Sequence, residues 1–255
     1  MRFFKLFCFG LSGVILYTVS YLRAIQASPP PANPPTPKAS AAKAAPIEKI
    51  TDNLYRLGTL LIDMKAHTLT CPGEINMDSG DVEYLAVTPM GKTYESLLRL
   101  NVRPLYLQVG LLLLGLEPKN VLRYQGDPTS PQGDPVDILV RWEDRNGIEH
   151  QVRAEDLLME GSKGSPMPHH PWVFTGSRIL PEGFEADLCG SLVAVWHDPA
   201  AILDNPMQEI QNDWMVNPAK TPRRGTSIRV IFKAIHVPKQ TSPSLPQHTD
   251  PDAKR

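Results

Sequence analysis

The sequence has few cysteines, and none of them stands in a metal-binding pattern. Its 255 residues contain three cysteines, Cys8, Cys71 and Cys189. No two are spaced as Cys-x-x-Cys, which excludes an iron–sulfur cluster or a structural zinc site of the usual kinds. An oxidising compartment would permit a bond between Cys71 and Cys189. We expect two free thiols instead, because each falls in an apolar segment predicted to be a strand and the domain is large enough to fold without a covalent link.

An excess of charge of one sign is also lacking. The chain has 26 basic and 27 acidic residues, a formal net charge of −1, so there is no electrostatic case for a nucleic-acid partner. Catalytic signatures are absent as well. Ser177 lacks the Gly-x-Ser-x-Gly frame of a nucleophile elbow, and Ala86 stands where a phosphate-binding loop ending at Gly91 needs a glycine. The sequence therefore identifies no reaction and no cofactor.

The first 27 residues have the order of a targeting segment. Arg2 and Lys5 precede an uncharged, mostly apolar run from Leu6 to Leu22. Secretory signal cores have about 7–15 residues and membrane-spanning helices about 17–25, so this run reaches the lower limit of a spanning helix. Arg23 disturbs the zone before a cleavage site after Ala27, which favours an uncleaved anchor. Residues 1–27 are predicted to be a signal sequence or an N-terminal membrane anchor, with the following chain outside the cytoplasm.

Proline is concentrated towards the two ends of the chain. Residues 28–46 contain seven prolines and almost no large apolar side chain, so residues 28–47 are predicted to be a disordered Pro/Ala-rich linker. Residues 238–255 are similar in composition and are predicted to be a disordered tail. Residues 48–237 remain as a single globular domain, which is long enough to bury a core.

The central region has the alternation and turn signals of short strands. Residues 136–142 alternate apolar and polar side chains, residues 144–147 form a turn that ends in Gly147, and residues 148–153 alternate again, which predicts a β-hairpin. Residues 226–237 are partly apolar on both faces and are predicted to be a central strand. Further strands are predicted at 82–88, 172–177, 184–189 and 191–196.

One helix is predicted with clear limits. Pro104 suits a first helical position, a leucine-rich stretch follows, and Gly115 suits the end. Because the helix is apolar nearly all round, we expect it to be covered by a sheet and by another layer. A second, short helix is predicted at Asp198 and Pro199. The predicted fold class is α+β, a mostly antiparallel β-sheet packed around one buried apolar helix.

Two short segments form the predicted binding site. Tyr94, Glu95 and Ser96 follow a turn just before the helix, and Thr175 and Ser177 lie in a segment of small residues that would let a ligand approach the backbone. Loops at the end of a scaffold commonly bind ligands, so we expect the two segments to lie close together. Glu95 is expected to be partly shielded from water, with an amide, a hydroxyl or an arginine as its partner. The simpler alternative is a glutamate at an exposed strand end, bonded to a backbone amide.

An alternative function is that of a hydrolase or a metal-dependent enzyme. Its candidate catalytic residues are Glu95, Ser177, Asp187 and His197. Most domains of this size contain such a set, so this alternative depends on whether the four side chains converge in one pocket. His169 and His170 match no zinc-binding spacing and are predicted to be exposed loop histidines, so no metal site is predicted.

A series of short segments has a characteristic order along the chain. It comprises residues 73–77, 82–87 and 91–98, the leucine-rich helix that ends at Gly115, and residues 172–177, 184–187, 190–194, 198–200 and 225–226. Together these segments resemble the YdjY-domain family of bacterial proteins, from residue 54 to residue 237. The family is largely uncharacterised, and the resemblance implies no catalytic residues. Some members carry ferredoxin-like cysteine clusters, which this chain lacks, and members often have histidine where this chain has Tyr94.

These patterns predict an exported, membrane-tethered binding or accessory domain of the cell envelope, with no evident catalysis. Its expected partners are an unidentified envelope protein or a small ligand, and the membrane through residues 6–22. No nucleic acid, metal or cofactor is predicted.

Overall fold

The domain is built around a closed β-barrel. The computed structural model describes residues 45–207 and 213–235. In chain order, their elements are β1 (Ile47–Lys49), β2 (Leu54–Leu57), β3 (Leu60–Asp63), β4 (Thr68–Ile75), β5 (Tyr84–Val87), β6 (Ser96–Leu100), α1 (Pro104–Leu113), β7 (Pro118–Lys119), β8 (Gln132–Glu143), β9 (Glu149–Arg153), β10 (Leu158–Glu160), β11 (Trp172–Phe174), β12 (Ile179–Leu180), β13 (Gly183–Phe184), α2 (Glu185–Cys189), β14 (Ser191–Ala194), β15 (Leu203–Asp204), β16 (Trp214–Val216) and β17 (Ser227–Ala234).

Eight strands form the barrel wall, each hydrogen-bonded to the next. Their order around the ring is β4, β17, β8, β11, β15, β14, β5 and β6. The ring closes because β6 also pairs with β4, with Gly73 opposite Leu100 and Ile75 opposite Leu98. The pairs β5–β6 and β14–β15 are parallel, and the other pairs are antiparallel. Closure pairs the edges that an open sheet would leave exposed.

The predicted α+β class is wrong, because the strands close on themselves and do not enclose the helix α1. One side of α1 packs tightly at Gly110, where an added Cβ would lie 2.9 Å from side-chain atoms of Leu60 and Leu69. The other side is open, with Leu112 45% exposed and Leu113 44% exposed. The leucine-rich sequence predicted cover on every side, but a barrel fills its interior with its own strand residues and covers only one side of α1.

Two shorter elements also differ from the sequence prediction. The predicted strand at 184–189 is instead the helix α2, which ends at Gly190 in the left-handed conformation with a φ of 79°. The predicted helix at Asp198 and Pro199 is a turn, in which Asp198 Oδ1 accepts a hydrogen bond from the backbone N of Ala200 at 2.9 Å. Both segments are too short for periodicity to distinguish a strand from a helical turn.

The predicted hairpin and the predicted central strand are confirmed. β8 and β9 pair from Leu139 opposite Arg153 to Glu143 opposite Glu149. Gly147 in the connecting turn has a φ of 76°, which suits glycine. β17 lies between β4 and β8, so both of its edges are paired. These two elements supply β8 and β17, which are two of the eight strands of the barrel wall.

Cys71 and Cys189 are both free thiols. Cys71 lies in β4, and its burial raises the pKa of the thiol to about 12. Cys189 is the last residue of α2, so its predicted position in a strand is wrong. Cys8 lies outside the described residues.

The predicted anchor at 6–22, most of the predicted linker and the predicted tail at 238–255 lie outside the described residues. Ile47, the last residue of the predicted linker, is the first residue of β1. Within residues 45–207 and 213–235, no helix is both long and apolar enough to cross a membrane.

Candidate functional site

Tyr94 projects from a short turn that is held in place by a buried amide. Thr93–Glu95 forms a 3-10 turn between β5 and β6. Asn76, which is only 4% exposed, donates hydrogen bonds through Nδ2 to the backbone oxygens of Thr93 at 2.6 Å and Ser96 at 2.7 Å. Ser96 is buried, and its hydroxyl donates to another backbone oxygen of this segment at 2.6 Å. Ser96 therefore helps to hold the turn in place, whereas the side chain of Tyr94 is 73% exposed.

A cleft of about 440 Å³ lies beside this turn. We call it the Tyr94 cleft, and the residues that line it include Asn76, Met77, Asp78, Thr93, Tyr94 and Arg224. Asp78 Oδ2 accepts a hydrogen bond from the backbone N of Arg224 at 3.0 Å, which joins two sides of the cleft. The cleft therefore brings an aromatic ring, an amide and charges of both signs to one surface.

Glu95 points away from this cleft into a partly shielded group of charges. Its side chain is 19% exposed, and its Oε1 lies 3.0 Å from Lys92 Nζ. Lys92 Nζ also lies 3.7 Å from Glu83 Oε2, and Gln125 Nε2 donates to the same oxygen at 2.8 Å. Burial raises the pKa of Glu83, and the negative charge of Glu95 raises it further, while Lys92 opposes both effects. The partner of Glu95 is therefore a lysine, and not the amide, hydroxyl or arginine expected from the sequence.

A chain of hydrogen bonds leads from this group into the interior. Gln125 Nε2 donates to the hydroxyl of Tyr84 at 3.3 Å, and that hydroxyl donates to Asp198 Oδ2 at 2.8 Å. The backbone N of Asp198 then donates to Asp204 Oδ2 at 2.9 Å. Burial and the neighbouring charge of Asp198 raise the pKa of Tyr84. Burial also raises the pKa of Asp204, whose carboxyl is completely enclosed.

His197 lies at the inner end of this chain and is 5% exposed. Its Nδ1 lies 2.8 Å from the backbone oxygen of Asp127, and its Nε2 lies 3.0 Å from the backbone oxygen of Asn205. Nε2 also lies 3.8 Å from Asp204 Oδ1, which accepts no hydrogen bond from any described residue. Both ring nitrogens therefore face backbone acceptors, and the ring joins three loop segments.

The hydroxyls of Ser177 and Thr175 are also hydrogen-bonded to the backbone. The hydroxyl of Ser177 donates to the backbone oxygen of Ala200 at 2.7 Å and accepts a hydrogen bond from the backbone N of Ala186 at 3.0 Å. The hydroxyl of Thr175 donates to the backbone oxygen of Ile202 at 3.3 Å. Because both hydroxyls are buried and bonded to the backbone, neither is presented to a ligand.

Asp187 supplies the N-terminal cap of α1 from a distant part of the sequence. Its Oδ1 accepts a hydrogen bond from the backbone N of Leu105 at 2.9 Å, and its Oδ2 lies 2.7 Å from Arg103 Nε. Arg103, at the cap position itself, provides no side-chain hydrogen bond to the helix. The carboxylate therefore satisfies a free backbone N–H at the start of α1 and complements the helix dipole.

The structure does not bring the two predicted site segments together. Residues 94–96 lead into β6, whereas residues 175–177 follow β11, and these two strands are four positions apart in either direction around the ring of eight. The four candidate catalytic side chains do not form one group, although the hydroxyl of Ser177 bonds to the backbone N of Ala186, next to Asp187. Among the described residues, no hydrogen bond or ion pair joins any two of Glu95, Ser177, Asp187 and His197.

The two histidines of the proline-rich loop contact neighbouring protein side chains. His169 Nε2 lies 2.8 Å from Asp156 Oδ1. His170 packs against Trp172 with ring centroids 5.8 Å apart, and burial lowers the pKa of its imidazole. His170 is therefore partly buried, so the prediction that both loop histidines are exposed is wrong for this residue. Within residues 45–207 and 213–235, no group of three or more His, Cys, Asp or Glu residues is placed to bind a metal ion.

Several residues of these sites have no distinctive signal in the sequence. Asn76, Asp78 and Arg224 line the Tyr94 cleft, and Glu83 and Gln125 surround Glu95. Arg224 is more than 140 residues from Asp78, and the pairing of β17 with β4 brings them together. Asn76 follows directly after β4, and a polar residue at a strand end is the one local signal available.

The fold defines a mostly-β barrel domain, with the helices α1 and α2 packed beside its strands. The chain belongs to the YdjY family, because the model of the YdjY domain matches residues 60–233. This range begins at the first residue of β3 and ends within β17. It therefore includes seven of the eight ring strands completely and all but the last residue of β17. No curated protein and no solved structure shows significant similarity to the chain.

Proposed function

We propose that this protein is an exported, membrane-tethered binding or accessory module of the cell envelope, and that the Tyr94 cleft is where it contacts a small ligand. The observation that supports this proposal is the pairing of an aromatic side chain, 73% exposed, with a cleft of about 440 Å³. Large exposed aromatic side chains are common anchors at binding sites, because they offer contact area and lose little conformational entropy on binding.

The surroundings of Tyr94 favour a polar ligand with one flat apolar face, such as a sugar ring. The ring of Tyr94 offers an apolar surface, and Asp78 and Arg224 offer hydrogen-bonding groups of opposite charge. Asn76 holds the backbone on both sides of Tyr94, so the turn is already fixed before a ligand arrives. Such preorganisation reduces the entropic cost of binding.

The candidate catalytic residues form hydrogen bonds to the backbone, and these contacts argue against the enzyme alternative. Ser177 and Asp187 each hold a backbone amide, and both nitrogens of His197 face backbone oxygens. A nucleophile needs a base within hydrogen-bond reach and an approach for its substrate. Neither condition holds at Ser177, whose hydroxyl is bonded to two backbone groups.

The ligand site is tested with the variant Tyr94→Ala and the matched control Met90→Ala. Met90 is 84% exposed on the preceding turn and does not line the Tyr94 cleft. Binding of glucose, glucuronate and N-acetylglucosamine to the full chain is measured by calorimetry. We expect at least one sugar to bind, with affinity at least about tenfold weaker in Tyr94→Ala, or about 1.4 kcal/mol, and unchanged in Met90→Ala. Absence of binding, or equal binding to Tyr94→Ala, would refute a sugar site in the cleft.

The proposed location rests on residues 6–22, whose apolar character follows Arg2 and Lys5. Cell fractionation should find the protein in the membrane pellet, and a salt wash should not release it. The double variant Val14→Arg and Leu16→Arg should leave the pellet, because charges near the middle of a spanning helix cost about 2.5–3.5 kcal/mol each on insertion scales. A mature soluble form that begins at Ser28 would show that the segment is a cleaved signal.

A further inference from the structure

A second cleft lies on the outer face of the barrel, where the ribbon of β1, β2 and β3 leaves the ring. β3 pairs with the first half of β4 and β6 pairs with its second half, so the ribbon branches from the wall. The cleft has a volume of about 590 Å³. Three arginines border it, Arg56 from β2, Arg141 from β8 and Arg229 from β17. We call it the arginine cleft.

Two of these arginines stand directly opposite each other. Arg229 pairs with Arg141 in the register of β17 and β8, and like charges at directly opposed positions destabilise a sheet. Arg141 is held by Gln151 Oε1 at 2.7 Å and lies 3.2 Å from Glu149 Oε1. Among the described residues, no side chain forms a hydrogen bond or ion pair with Arg229. The pair therefore carries one guanidinium that has no counter-ion within the described part of the protein.

The floor of the arginine cleft is apolar and uncharged. Alternate residues of a strand face the same side, and the outward residues here include Leu61 of β3, Thr70 of β4 and Ile231 of β17, all half-buried. They form one row, because Leu61 pairs with Thr70 and Thr70 pairs with Ile231. Asp63 also lines the cleft, but its Oδ1 accepts hydrogen bonds from the backbone N atoms of Lys65 and Ala66.

We propose that the arginine cleft binds a small amphipathic carboxylate, with the carboxylate held by Arg229 beside Arg141 and the apolar body lying on Leu61 and Ile231. A guanidinium presents a planar fork of N–H donors that matches the two oxygens of a carboxylate. Arg141 is already close to Glu149, so the uncompensated charge at this position is that of Arg229 and suits a monoanion. The volume of the cleft is within the range of about 300–1,000 Å³ that is usual for small-molecule sites.

The test uses the full chain in lipid nanodiscs, with the signal of empty nanodiscs subtracted. The probes are 4-phenylbutanoate, its neutral amide and 3-phenylpropyl phosphate, which carry different head groups on the same phenylpropyl chain. We expect the carboxylate to bind, and the amide to bind at least about tenfold more weakly, because it lacks the charge that Arg229 recognises. Binding of the carboxylate should weaken as salt is added. Equal binding of the amide, or binding of the phosphate at least tenfold tighter than the carboxylate, would overturn the proposal.

The decisive variant is Arg229→Gln, with Arg145→Gln as its matched control. Arg145 is an exposed arginine in the hairpin turn and does not line the arginine cleft. Carboxylate affinity should fall at least about tenfold in Arg229→Gln and remain unchanged in Arg145→Gln. Arg229→Gln should unfold at the same temperature as the original chain or higher, because it removes one of two opposed like charges. Arg229→Lys keeps the charge without the fork and should lose part of the affinity.

Unchanged carboxylate affinity in Arg229→Gln would overturn the proposal. Equal losses in Arg229→Gln and Arg145→Gln would do the same, because they would indicate a general effect of net charge. The result is independent of the Tyr94 cleft, since the two clefts share no lining residue. Tyr94→Ala should therefore bind the carboxylate as well as the original chain does.

Discussion

Ser177 shows at the scale of one residue how a hydroxyl becomes part of the fold. Its hydroxyl bonds to the backbone of Ala200, which lies in a turn, and of Ala186, which lies in α2. We expect Ser177→Ala to lower the free energy of unfolding by about 1–3 kcal/mol, because a buried backbone amide loses its acceptor. Urea denaturation measures this change, with the exposed Ser162→Ala as the control. Unchanged stability together with loss of a hydrolytic activity would indicate a nucleophile instead.

Glu95 is predicted to affect the pKa of Glu83 more than the stability of the fold. Its ion pair with Lys92 is partly exposed, so Glu95→Gln should change the free energy of unfolding by less than about 1 kcal/mol. The same change removes a negative charge that raises the pKa of Glu83, so that pKa should fall. An NMR titration of the glutamate side-chain carboxyl carbons measures it. Glu74→Gln, in a separate ion pair with Arg99, should leave the pKa of Glu83 unchanged.

Asp204 should make the protein less stable as the pH rises. Burial raises the pKa of its carboxyl in the folded state above the ordinary value of 3.8, so the folded protein holds a proton that the unfolded chain has released. The free energy of unfolding therefore falls as the pH increases from 3.8 through the raised pKa. Asp198 and His197 are the titratable groups that face this carboxyl.

The variant Asp204→Asn removes this titration while keeping the shape of the side chain. Its advantage in stability over the original chain should be small near pH 4 and should grow as the pH increases. Urea denaturation at a series of pH values measures the difference. Asp52→Asn, at a side chain that is 94% exposed, is the matched control. A difference that stays constant with pH would contradict a raised pKa at Asp204.

These residue-scale roles were only partly predictable from the sequence. Tyr94 and Glu95 were candidates from the sequence alone, and the structure places Tyr94 at a cleft. The partners of Ser177 were not predictable, because a buried hydroxyl and an exposed one look alike in a sequence. Such contacts depend on which loops meet, and loops meet only after the strands have paired.

At the scale of elements, α1 depends on a cap from another part of the chain. Asp187 accepts the backbone N–H of Leu105 and pairs with Arg103. We expect Asp187→Ala to cost about 0.5–2 kcal/mol of unfolding free energy, which is the usual loss for a helix cap. Asp187→Asn should cost less, because its amide oxygen still accepts the hydrogen bond. Asp52→Ala, which removes an exposed carboxylate, is the control, and an equal effect in all three variants would contradict the capping role.

The limits of α1 were predictable, whereas its surroundings were not. Pro104 and Gly115 mark the two ends through local backbone preferences, and the structure agrees with both. The exposure of Leu112 and Leu113 has no local signal, because the same leucines suit a buried helix. The hairpin of β8 and β9 was predictable for the same local reason, since its strands are joined by a tight turn at Gly147.

At the scale of the whole molecule, closure is the feature that local patterns do not contain. Each strand has the same short alternation of apolar and polar residues whether its sheet is open or closed. The ring closes between β4 and β6, whose connection runs through β5. The choice between an open α+β sheet and a barrel therefore depends on the long-range pairing of β4 with β6, which the local patterns do not specify.

The closing contact is tested by Gly73→Ala. An added Cβ at Gly73 would lie 2.5 Å from Leu100 Cδ2 and 2.7 Å from the backbone oxygen of Arg99, both in β6. Because the backbone oxygen cannot move without breaking the ladder, we expect a loss of about 1–3 kcal/mol in unfolding free energy. Hydrogen exchange should show faster opening at Leu98 and Leu100 than in the control Thr68→Ala, which lies in the same strand away from β6. Unchanged stability and exchange in Gly73→Ala would mean that β4 and β6 are not paired in solution, and the barrel would then be an open sheet.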